Sequence, residues 1–548
     1  MAGKYGGQVV LATISDPKTF NDITSNETSS SIITALIFEG LTTIDAHTLK
    51  VLPSLAHSWK VAEDGLTWTF FLRKDVLWND GVPFTADDVV FTYNDLIYNP
   101  DIPSSSKDSL TIDGKQIAVS KIDDHTVQFV LPVKFAPFLL TVGQAILPKH
   151  KLEQSVKNGN FNFTWGIDTP PEEIVGTGPF KLSYYNPGER VVLVRNPAYW
   201  KKSAQGEPLP FIDRIVYLIV QSTDTELLKF LDGETDAYAV GGRDYPVLKP
   251  KEEAGNFTVY NVGPDLGTSF LFFNQNPGVN PKTGEPFLDP VKLAWFTDRR
   301  FRQAVAHAMD KKRMLEILMN GLGYEQHSAI SQGKGYYHNP NVRQYGYDLD
   351  KARQLLKEAG FADRDGDGFL EDKNGKTVEF TLATNAGADT RILMAGIIRS
   401  DLEQIGLKAN FKILEFNTLV SKINATFDYD AVLLGLTGGG PDPHFGKNVW
   451  HSSGQMHMWN PAQASPATLW EKRVDEIFDT GVQTLDEEER KKLYDEFQLI
   501  ASEELPFIYT ILPAKIIAVR NKFGNLSPSV NGGAFHNIEE IYVKPEFR

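Results

Sequence analysis

The part of the sequence that most constrains the fold is an alternation of strand-like and helix-like segments near the C-terminal third of the chain. Apolar residues alternate at 378–382 and at 407–413, and a continuous apolar run fills Ala431–Leu436. Two helix-like segments separate these three stretches. Strand–helix–strand units favour parallel strands with right-handed crossovers. The sequence therefore predicts an α/β domain in which the three strands end at one edge of a sheet.

The loop that follows the third strand is a candidate binding site. Ala431–Leu436 runs into Gly438-Gly439-Gly440-Pro441, and a polar segment containing Trp450 and Trp459 comes next. Ligands of open α/β sheets lie beyond the carboxyl ends of the strands, and aromatic faces beside a few polar groups suit a small-molecule pocket. A surface loop whose tryptophans cap a core explains the same residues. The two other strand ends predicted at this edge favour the pocket.

The size and charge of the chain exclude several classes of protein. A chain of 548 residues exceeds what one hydrophobic core supports, so we expect two or three domains. A net charge of −15 argues against nucleic acid or an anionic membrane as the main partner. The absence of cysteine excludes disulfides, thiolate metal sites and cysteine nucleophiles. The start, Met1–Lys4, lacks the apolar segment of a signal peptide, so we expect a mature domain without its leader.

The pattern of the first half of the chain returns at its C-terminus. Strand-like segments at 180–184 and 191–194 flank a turn signal and predict a hairpin. Helices dominate later, and Asp348–Gly360 is the clearest, with an N-cap Asp and a C-terminal Gly. The tail at 507–518 is again strand-like. We therefore expect a discontinuous first domain that receives the C-terminus.

Short motifs in a fixed order along the chain carry a family resemblance. They are Phe38-Glu39-Gly40-Leu41, Trp78-Asn79-Asp80-Gly81, Phe84-Thr85-Ala86-Asp87-Asp88-Val89, Gly176-Thr177-Gly178-Pro179-Phe180, Arg195-Asn196-Pro197, Phe301-Arg302-Gln303-Ala304 and Glu358-Ala359-Gly360. Together they resemble the family 5 extracellular solute-binding proteins, the peptide- and oligosaccharide-binding subunits of ABC importers.

The resemblance implies an α/β fold of the periplasmic-binding-protein type II kind. It has two α/β lobes joined by a two-segment hinge, with an extra subdomain inserted in the first lobe. We expect lobe I at 1–50, 176–270 and 508–548, the inserted subdomain at 51–175 and lobe II at 271–507. The crossing segments are expected near Thr268–Gln275 and Glu504–Tyr509.

The function implied is that of the substrate-binding protein of an ABC importer, a monomer that is not an enzyme. It is expected in the periplasm or outside the cell, associated with the membrane. Its partners are a small-molecule ligand and the ABC permease subunits in the membrane, with no nucleic acid. Closure of the two lobes on the ligand produces the form delivered to the permease, and contacts with both lobes must favour closure.

The ligand class stays open between a peptide and an oligosaccharide. Peptide-binding members of the family usually carry a Trp and then an Asp in the loop that matches 435–443, and the Asp pairs with the peptide ammonium. Leu436 and the glycines stand in their places here. A buried cation without a partner is costly. The departure therefore counts against a standard peptide site and leaves room for an oligosaccharide or an unusual peptide.

The predicted ligand site combines the strand ends with the family pattern. Its residues are Asn26, Glu27, Thr28, Asn274, Asn385, Glu415, Phe416, Gly438, Gly439, Gly440, Asn448, Trp450 and Trp459. No residue is assigned a catalytic role. A glycoside hydrolase is the remote alternative, because carboxylates are plentiful, but no motif singles out a pair.

An acidic turn resembles the first half of a calcium-binding loop. Asp363, Asp365 and Asp367 occupy alternate positions among glycines. Asn374 stands where the bidentate Glu of such a loop is expected, and Glu371 is a substitute. A solvated acidic turn accounts for the same residues. The solvated turn is the favoured interpretation, so we expect no cofactor; a calcium ion, if these four residues bind one, would be structural.

Overall fold

The computed structural model describes residues 3–25, 27–104, 106–112, 114–220, 222–437 and 440–547. The chain divides into two compact units. Unit 1 comprises Met1–Val262 and Ile516–Arg548, and unit 2 comprises Gly263–Lys515. Among the helices in the described part of the chain, none combines the length and the apolar character that crossing a bilayer requires.

The β-strands are distributed over both units. The strands are β1 (Gln8–Thr13), β2 (Thr42–Ile44), β3 (Val51–Pro53), β4 (Ala56–Val61), β5 (Thr67–Leu72), β6 (Thr111–Ile112), β7 (Lys115–Gln116), β8 (Ala118–Asp123), β9 (Thr126–Val130), β10 (Phe180–Asn186), β11 (Arg190–Arg195), β12 (Arg214–Ile219), β13 (Ala237–Val240), β14 (Phe257–Pro264), β15 (Thr268–Phe273), β16 (Gly323–Glu325), β17 (Glu379–Asn385), β18 (Lys408–Leu414), β19 (Ala431–Leu436), β20 (Ile508–Tyr509), β21 (Ile511–Arg520), β22 (Phe523–Gly524) and β23 (Tyr542–Val543).

The α-helices are longest in unit 2. They are α1 (Thr28–Thr34), α2 (Ala86–Phe91), α3 (Ser106–Ser109), α4 (Phe138–Thr141), α5 (Lys149–Lys157), α6 (Thr223–Leu231), α7 (Tyr245–Leu248), α8 (Glu252–Gly255), α9 (Pro290–Thr297), α10 (Arg299–Ala308), α11 (Lys311–Met319), α12 (Leu349–Glu358), α13 (Asp389–Glu403), α14 (Phe416–Ser421), α15 (Lys447–Trp450), α16 (Leu469–Gly481) and α17 (Glu487–Glu504).

Unit 1 is built on separate small sheets. One has the order β1-β12-β11-β10, with β1 and β12 parallel and the predicted hairpin β10–β11 confirmed. Another, β4-β5-β9-β8, is antiparallel throughout. It packs around rings of Trp68, Phe70, Phe129 and Phe138 that meet edge to face. This second sheet lies within residues 51–175, where the inserted subdomain stays a prediction.

Helix α2 begins with a capping box formed by Thr85 and Asp88. The Thr85 side chain accepts a hydrogen bond from the backbone N–H of Asp87, and the Asp88 carboxylate accepts one from the N–H of Thr85. This capping box satisfies backbone donors that a helix start otherwise leaves without partners. The helix then widens into one π-helical turn, Thr92–Ile97.

Unit 2 is built on one five-stranded sheet with the order β18-β17-β19-β15-β20. Strand β17 pairs in parallel with both β18 and β19, as the α/β alternation predicts. Because the three strands are parallel neighbours, their carboxyl ends meet at one edge. Helix α12 buries Ala352, Leu355 and Leu356 in the core of this unit, and the Asp348 side chain caps it.

The predicted crossing segments lie inside unit 2 rather than at its border. Strand β15 pairs with β19 and β20 pairs with β15, so both belong to the unit 2 sheet. The division falls at 262/263 and 515/516, within the continuous strands β14 and β21. The hydrophobic pattern does not reveal where a strand passes from one unit to the other, because the alternation of its residues continues while the strands that pair with it differ.

Candidate functional site

Unit 2 contains a cavity of about 240 Å³ beyond the carboxyl end of β19. Thr268, at the start of β15, lies opposite Leu436, the last residue of β19, and both line it. The other apolar lining residues are Leu266, Phe270, Ala329, Ile330, Pro443, Phe445, Val449, Trp450, Met456, Phe478, Phe497 and Phe507. The other polar ones include Ser331, Lys334, Thr437, Asp442 and Tyr509. The cavity is thus mainly apolar and lies where the sequence places a ligand.

Aromatic rings form the main wall of the cavity. The Trp450 ring lies 4.7 Å from the Phe497 ring and 5.4 Å from the Phe507 ring, both near perpendicular. Phe507 in turn lies 4.2 Å from Phe270 on β15. Such pairs contribute roughly 0.5–1.5 kcal/mol each beyond the area they bury. The wall therefore offers aromatic surface to an apolar or stacking group.

The one carboxylate among the described lining residues is already paired. Asp442 and Arg490 are both buried and form a bidentate ion pair, in which Nη2 lies 2.6 Å from Oδ1 and Nη1 contacts Oδ2. Burial lowers the pKa of Arg490, but the hydrogen bonds and charge of Asp442 outweigh it, so the net direction is upward. Arg490 also donates to the Tyr337 hydroxyl and to the carbonyl of Gly481. Asp442 is thus neutralised inside the protein.

Lys334 brings a positive charge to the cavity lining. Its Nζ donates to the carbonyl of Gly440 at 2.8 Å. Burial lowers the pKa of Lys334 to about 8, and the charge of Asp442 offsets part of this effect. At neutral pH the side chain is mostly protonated, so the lining contains a cation that a ligand anion or hydroxyl could meet.

Of the predicted ligand residues, Trp450 lines this cavity and Gly440 adjoins it through Lys334. Asn26, Gly438 and Gly439 lie outside the described residues. Glu27 precedes α1 in unit 1, and Thr28 is exposed at the start of that helix.

Trp459 and Asn274 instead have structural partners in the core of unit 2. Trp459 is 1% exposed and donates its indole N–H to Glu471 at 3.1 Å. Asn274 is fully buried and donates its amide to the carbonyls of Phe427 and Tyr429 at 2.9 Å each. Their N–H groups thus have structural partners, and neither residue lines the cavity described above.

Three further predicted residues form local contacts, and a fourth is exposed. Asn385 donates to the carbonyl of Ala386 and accepts from Arg391. Glu415 caps α14 by accepting from the N–H of Thr418, and Asn448 accepts from the N–H of Gln455. Phe416 is 50% exposed. None of these four lines the cavity described above.

Sequence reasoning missed several residues of the cavity. Thr268 and Tyr509 were expected to lie in the crossing segments, and Ser331 and Lys334 lie in an irregular stretch without periodicity. The alternation along β15 does place Thr268, Phe270 and Phe272 on one face, which is a usable signal. Nothing in the sequence places Lys334 beside Gly440.

Of the predicted metal ligands, three come together. Asp363, Asp365 and Glu371 each offer one carboxylate oxygen within 4.8 Å of the other two. Asp367 is not part of this group; its Oδ1 accepts from the N–H of Phe369 at 2.8 Å.

Two α/β units, one of which holds an aromatic-lined cavity beyond a strand end, are typical of a binding protein that takes up small solutes. The chain belongs to the bacterial extracellular solute-binding proteins, family 5: the profile "Bacterial extracellular solute-binding proteins, family 5 Middle" matches residues 50–457. The resemblance and the two-lobed α/β fold predicted from the sequence are thereby confirmed. It is a substrate-binding protein of the ABC-importer type.

Individual relatives extend over nearly the whole chain. A probable ABC transporter-binding protein of Deinococcus radiodurans is 30% identical over 530 residues, covering 92% of this chain and 86% of the relative. The oligopeptide-binding protein AppA of Bacillus subtilis is 28% identical, covering 99% and 92%. A solved structure of AppA from Bacillus subtilis with a nonapeptide has a TM-score of 0.69 at 25% identity, covering 99% of this chain and 100% of that one. The periplasmic alpha-galactoside-binding protein of Rhizobium meliloti is 24% identical, covering 91% and 74%.

Proposed function

We propose that this chain captures a peptide or a similar solute for an ABC permease, and that the cavity of unit 2 receives an apolar or aromatic part of it. The observation that carries the proposal is the wall of Trp450, Phe497 and Phe507 at the carboxyl end of β19. The peptide-binding names of relatives such as AppA support the ligand class. Location outside the cytoplasmic membrane, the monomeric state and closure of two lobes on the ligand stay predictions from the family resemblance.

The mode of peptide recognition follows from the charges in the cavity. Asp442 is held by Arg490 and the lining cation is Lys334, so no carboxylate among the described lining residues is left to pair with a peptide ammonium. A peptide would therefore be held by side-chain burial and backbone hydrogen bonds rather than by its N-terminal charge. Burying an apolar side chain contributes about 1.5–3 kcal/mol.

Titration calorimetry with matched peptides tests this mode. A hydrophobic nonapeptide and its N-acetylated form should bind with affinities within about threefold of each other, since no ion pair is lost. A loss of about 100-fold or more on acetylation, the size expected when a buried charge pair is broken, would contradict it. Trp59→Ala, a tryptophan variant on β4 of unit 1 and outside the cavity, serves as the control for a general loss of peptide binding. It should bind both peptides as the parent protein does.

An oligosaccharide is the second candidate ligand. Ring faces without an unpaired carboxylate suit a sugar that stacks and donates hydroxyls, and one relative is named for alpha-galactoside binding. A thermal-shift screen that sets peptides against raffinose-type galactosides separates the two. A shift with sugars alone would replace the peptide with an oligosaccharide while leaving the cavity in place.

The described lining residues do not include the pair of carboxyl groups that a glycosidase needs. Glycosidases use two carboxyl groups about 5–9.5 Å apart, and among the described lining residues the cavity offers Asp442 alone, already paired with Arg490. A bound ligand should therefore be recovered unchanged after incubation, as mass spectrometry of the released compound would show.

A further inference from the structure

The loop between α12 and β17 holds three carboxylates close together. Asp363 and Asp365 lie at its exposed tip, and Glu371 lies at its base. One oxygen from each falls within 4.8 Å of the other two. Two oxygens that coordinate a calcium ion from opposite sides at about 2.4 Å are about 4.8 Å apart. The three oxygens are therefore close enough together for one ion to contact all of them.

Glu371 supplies a second observation, independent of the clustering. The residue is 3% exposed, and its Oε1 has no hydrogen-bond partner among the described atoms. Its Oε2 accepts only the backbone N–H of Arg364 at 2.6 Å. A buried carboxylate with one oxygen left without a partner costs free energy unless a cation is nearby. The structure thus leaves a negative group prepared for a positive ligand.

The backbone fixes Glu371 in this position. Its N–H donates to the carbonyl of Ala362 at 2.9 Å, and its own carbonyl accepts from the N–H of Ala362 at 3.0 Å. These two bonds join both sides of the loop and fix the backbone that carries the carboxylate, and the N–H of Arg364 holds its Oε2. The loop is closed around the acidic group.

Two basic side chains of the same region, Arg364 and Lys376, have other partners. Arg364 donates to the carbonyls of Asp372 and Gly360, and Lys376 pairs with Asp289 at 2.6 Å. In the described part of the chain, none of the ion pairs within 4.0 Å involves Asp363, Asp365 or Glu371. The protein itself therefore does not neutralise the group.

We propose that Asp363, Asp365 and Glu371 bind a divalent cation, with Ca²⁺ preferred over Mg²⁺. All three ligands are hard carboxylate oxygens on an irregular loop, and Ca²⁺ accepts such flexible geometry, whereas Mg²⁺ demands near-ideal octahedral coordination. The ion ties the tip of the loop to its base between α12 and β17. Its role is to stabilise unit 2, separate from the solute cavity.

Calcium titration of the full-length protein, stripped with EDTA and exchanged into metal-free buffer, tests the site. Calorimetry should show one site per chain, saturating below about 10 mM, tenfold above the weakest extracellular calcium modules. The melting temperature should rise with CaCl₂ and fall again with EDTA. Absence of heat and of any melting shift over this range would overturn the proposal, as would equal responses to Ca²⁺ and Mg²⁺.

Two variants and one matched control locate the ion. Glu371→Gln and Asp365→Asn should each weaken calcium binding by about tenfold or more, since each removes a charged ligand. Asp367→Asn removes the same charge from the same loop but not from the oxygen group, and should change affinity by less than about threefold. Asp365 is exposed, so its variant folds even if Glu371→Gln does not. Equal losses in Asp365→Asn and Asp367→Asn would mean diffuse attraction to an acidic surface, and would overturn the assignment.

Discussion

The two units each bury an ionisable group whose pKa is driven to about 7, but the groups have opposite charge. In unit 1, burial raises the pKa of Glu39 to about 7, although Trp200 and Tyr199 donate hydrogen bonds to its carboxyl group at 3.0 and 3.2 Å. In unit 2, burial lowers the pKa of Lys311 to about 7, and its Nζ donates to the carbonyl of Gln326 at 2.7 Å. One physical cause, exclusion of water, thus acts with opposite sign on acid and base.

The comparison implies opposite pH responses around neutrality. A folded-state pKa of Glu39 above its value in the unfolded chain stabilises unit 1 at low pH, and this stability is lost as pH rises from about 4.5 through 7. A folded-state pKa of Lys311 below its unfolded value stabilises unit 2 at high pH, and this stability is lost as pH falls from about 10.5 through 7. Near neutral pH the protein has therefore lost most of the stability that each of the two groups contributes at its favourable pH.

The largest expected effect is at Lys311. Replacing it with Met should remove most of the pH dependence of unit 2 between about pH 7 and 10. Below pH 7 the variant should be more stable than the parent, by roughly 3–5 kcal/mol at most, because no charge is then buried. Urea unfolding at several pH values measures the difference. Parallel pH profiles of the parent and the variant would show that titration of Lys311 does not cause the pH dependence of unit 2.

A smaller effect of opposite sign is expected at Glu39. Glu39→Gln should keep the hydrogen bonds from Trp200 and Tyr199 while removing the titration. Its free energy of unfolding should exceed that of the parent above pH 7, by roughly 1–3 kcal/mol because no buried carboxylate has to ionise, and approach it below about pH 4.5. The same urea titrations provide the measurement, and Glu63→Gln on the surface of unit 1 is the control.

Ligand affinity offers a third contrast between the units. Trp450→Phe reduces the aromatic surface that lines the cavity of unit 2 but keeps a ring there. The affinity for the solute should therefore fall about two- to tenfold. Trp59→Phe in unit 1 should leave it unchanged. Calorimetry with the best ligand of the screen compares the two. Unchanged affinity in Trp450→Phe would mean that the solute binds elsewhere.

The smallest effects are expected at exposed ion pairs. In both units such pairs should contribute little to the free energy of unfolding, in contrast to the buried groups Glu39 and Lys311. Lys121 meets Asp87 in unit 1 through one amine, whereas Arg473 meets Glu496 in unit 2 through two nitrogens at 2.7 and 2.8 Å. Lys121→Ala and Arg473→Ala should each cost less than about 1 kcal/mol, the Arg variant slightly more. Chemical denaturation in low and high salt checks both, and a larger loss in either would show that the pair is not screened by solvent.

Much of the fold followed from periodicity because it depends on local pattern. The parallel set β17, β18 and β19 and the capped helix α12 match their predictions closely. The cavity lies beyond the end of one of these three strands, β19. Such features are encoded by residues near each other in the sequence, so a single chain suffices to find them.

The site could be predicted only in part, since its partners are distant in sequence. Trp450 and Trp459 look equivalent in the sequence, yet one lines the cavity and the other gives its N–H to Glu471. The sequence likewise does not show that Asp442 pairs with Arg490, which lies 48 residues later. Burial and pairing of this kind arise from tertiary packing, which the order of residues does not display.

The discontinuity of unit 1 has a consequence for synthesis of the chain. Strand β13 pairs with the second half of β21, from Ala237 opposite Val519 to Val240 opposite Ile516. While the ribosome is still elongating, β13 has no such neighbour, whereas Gly263–Lys515 is one uninterrupted stretch. Domains usually fold as units during translation, N-terminal first. Here the later-made half can mature first, and the earlier-made half must wait for the final residues to emerge.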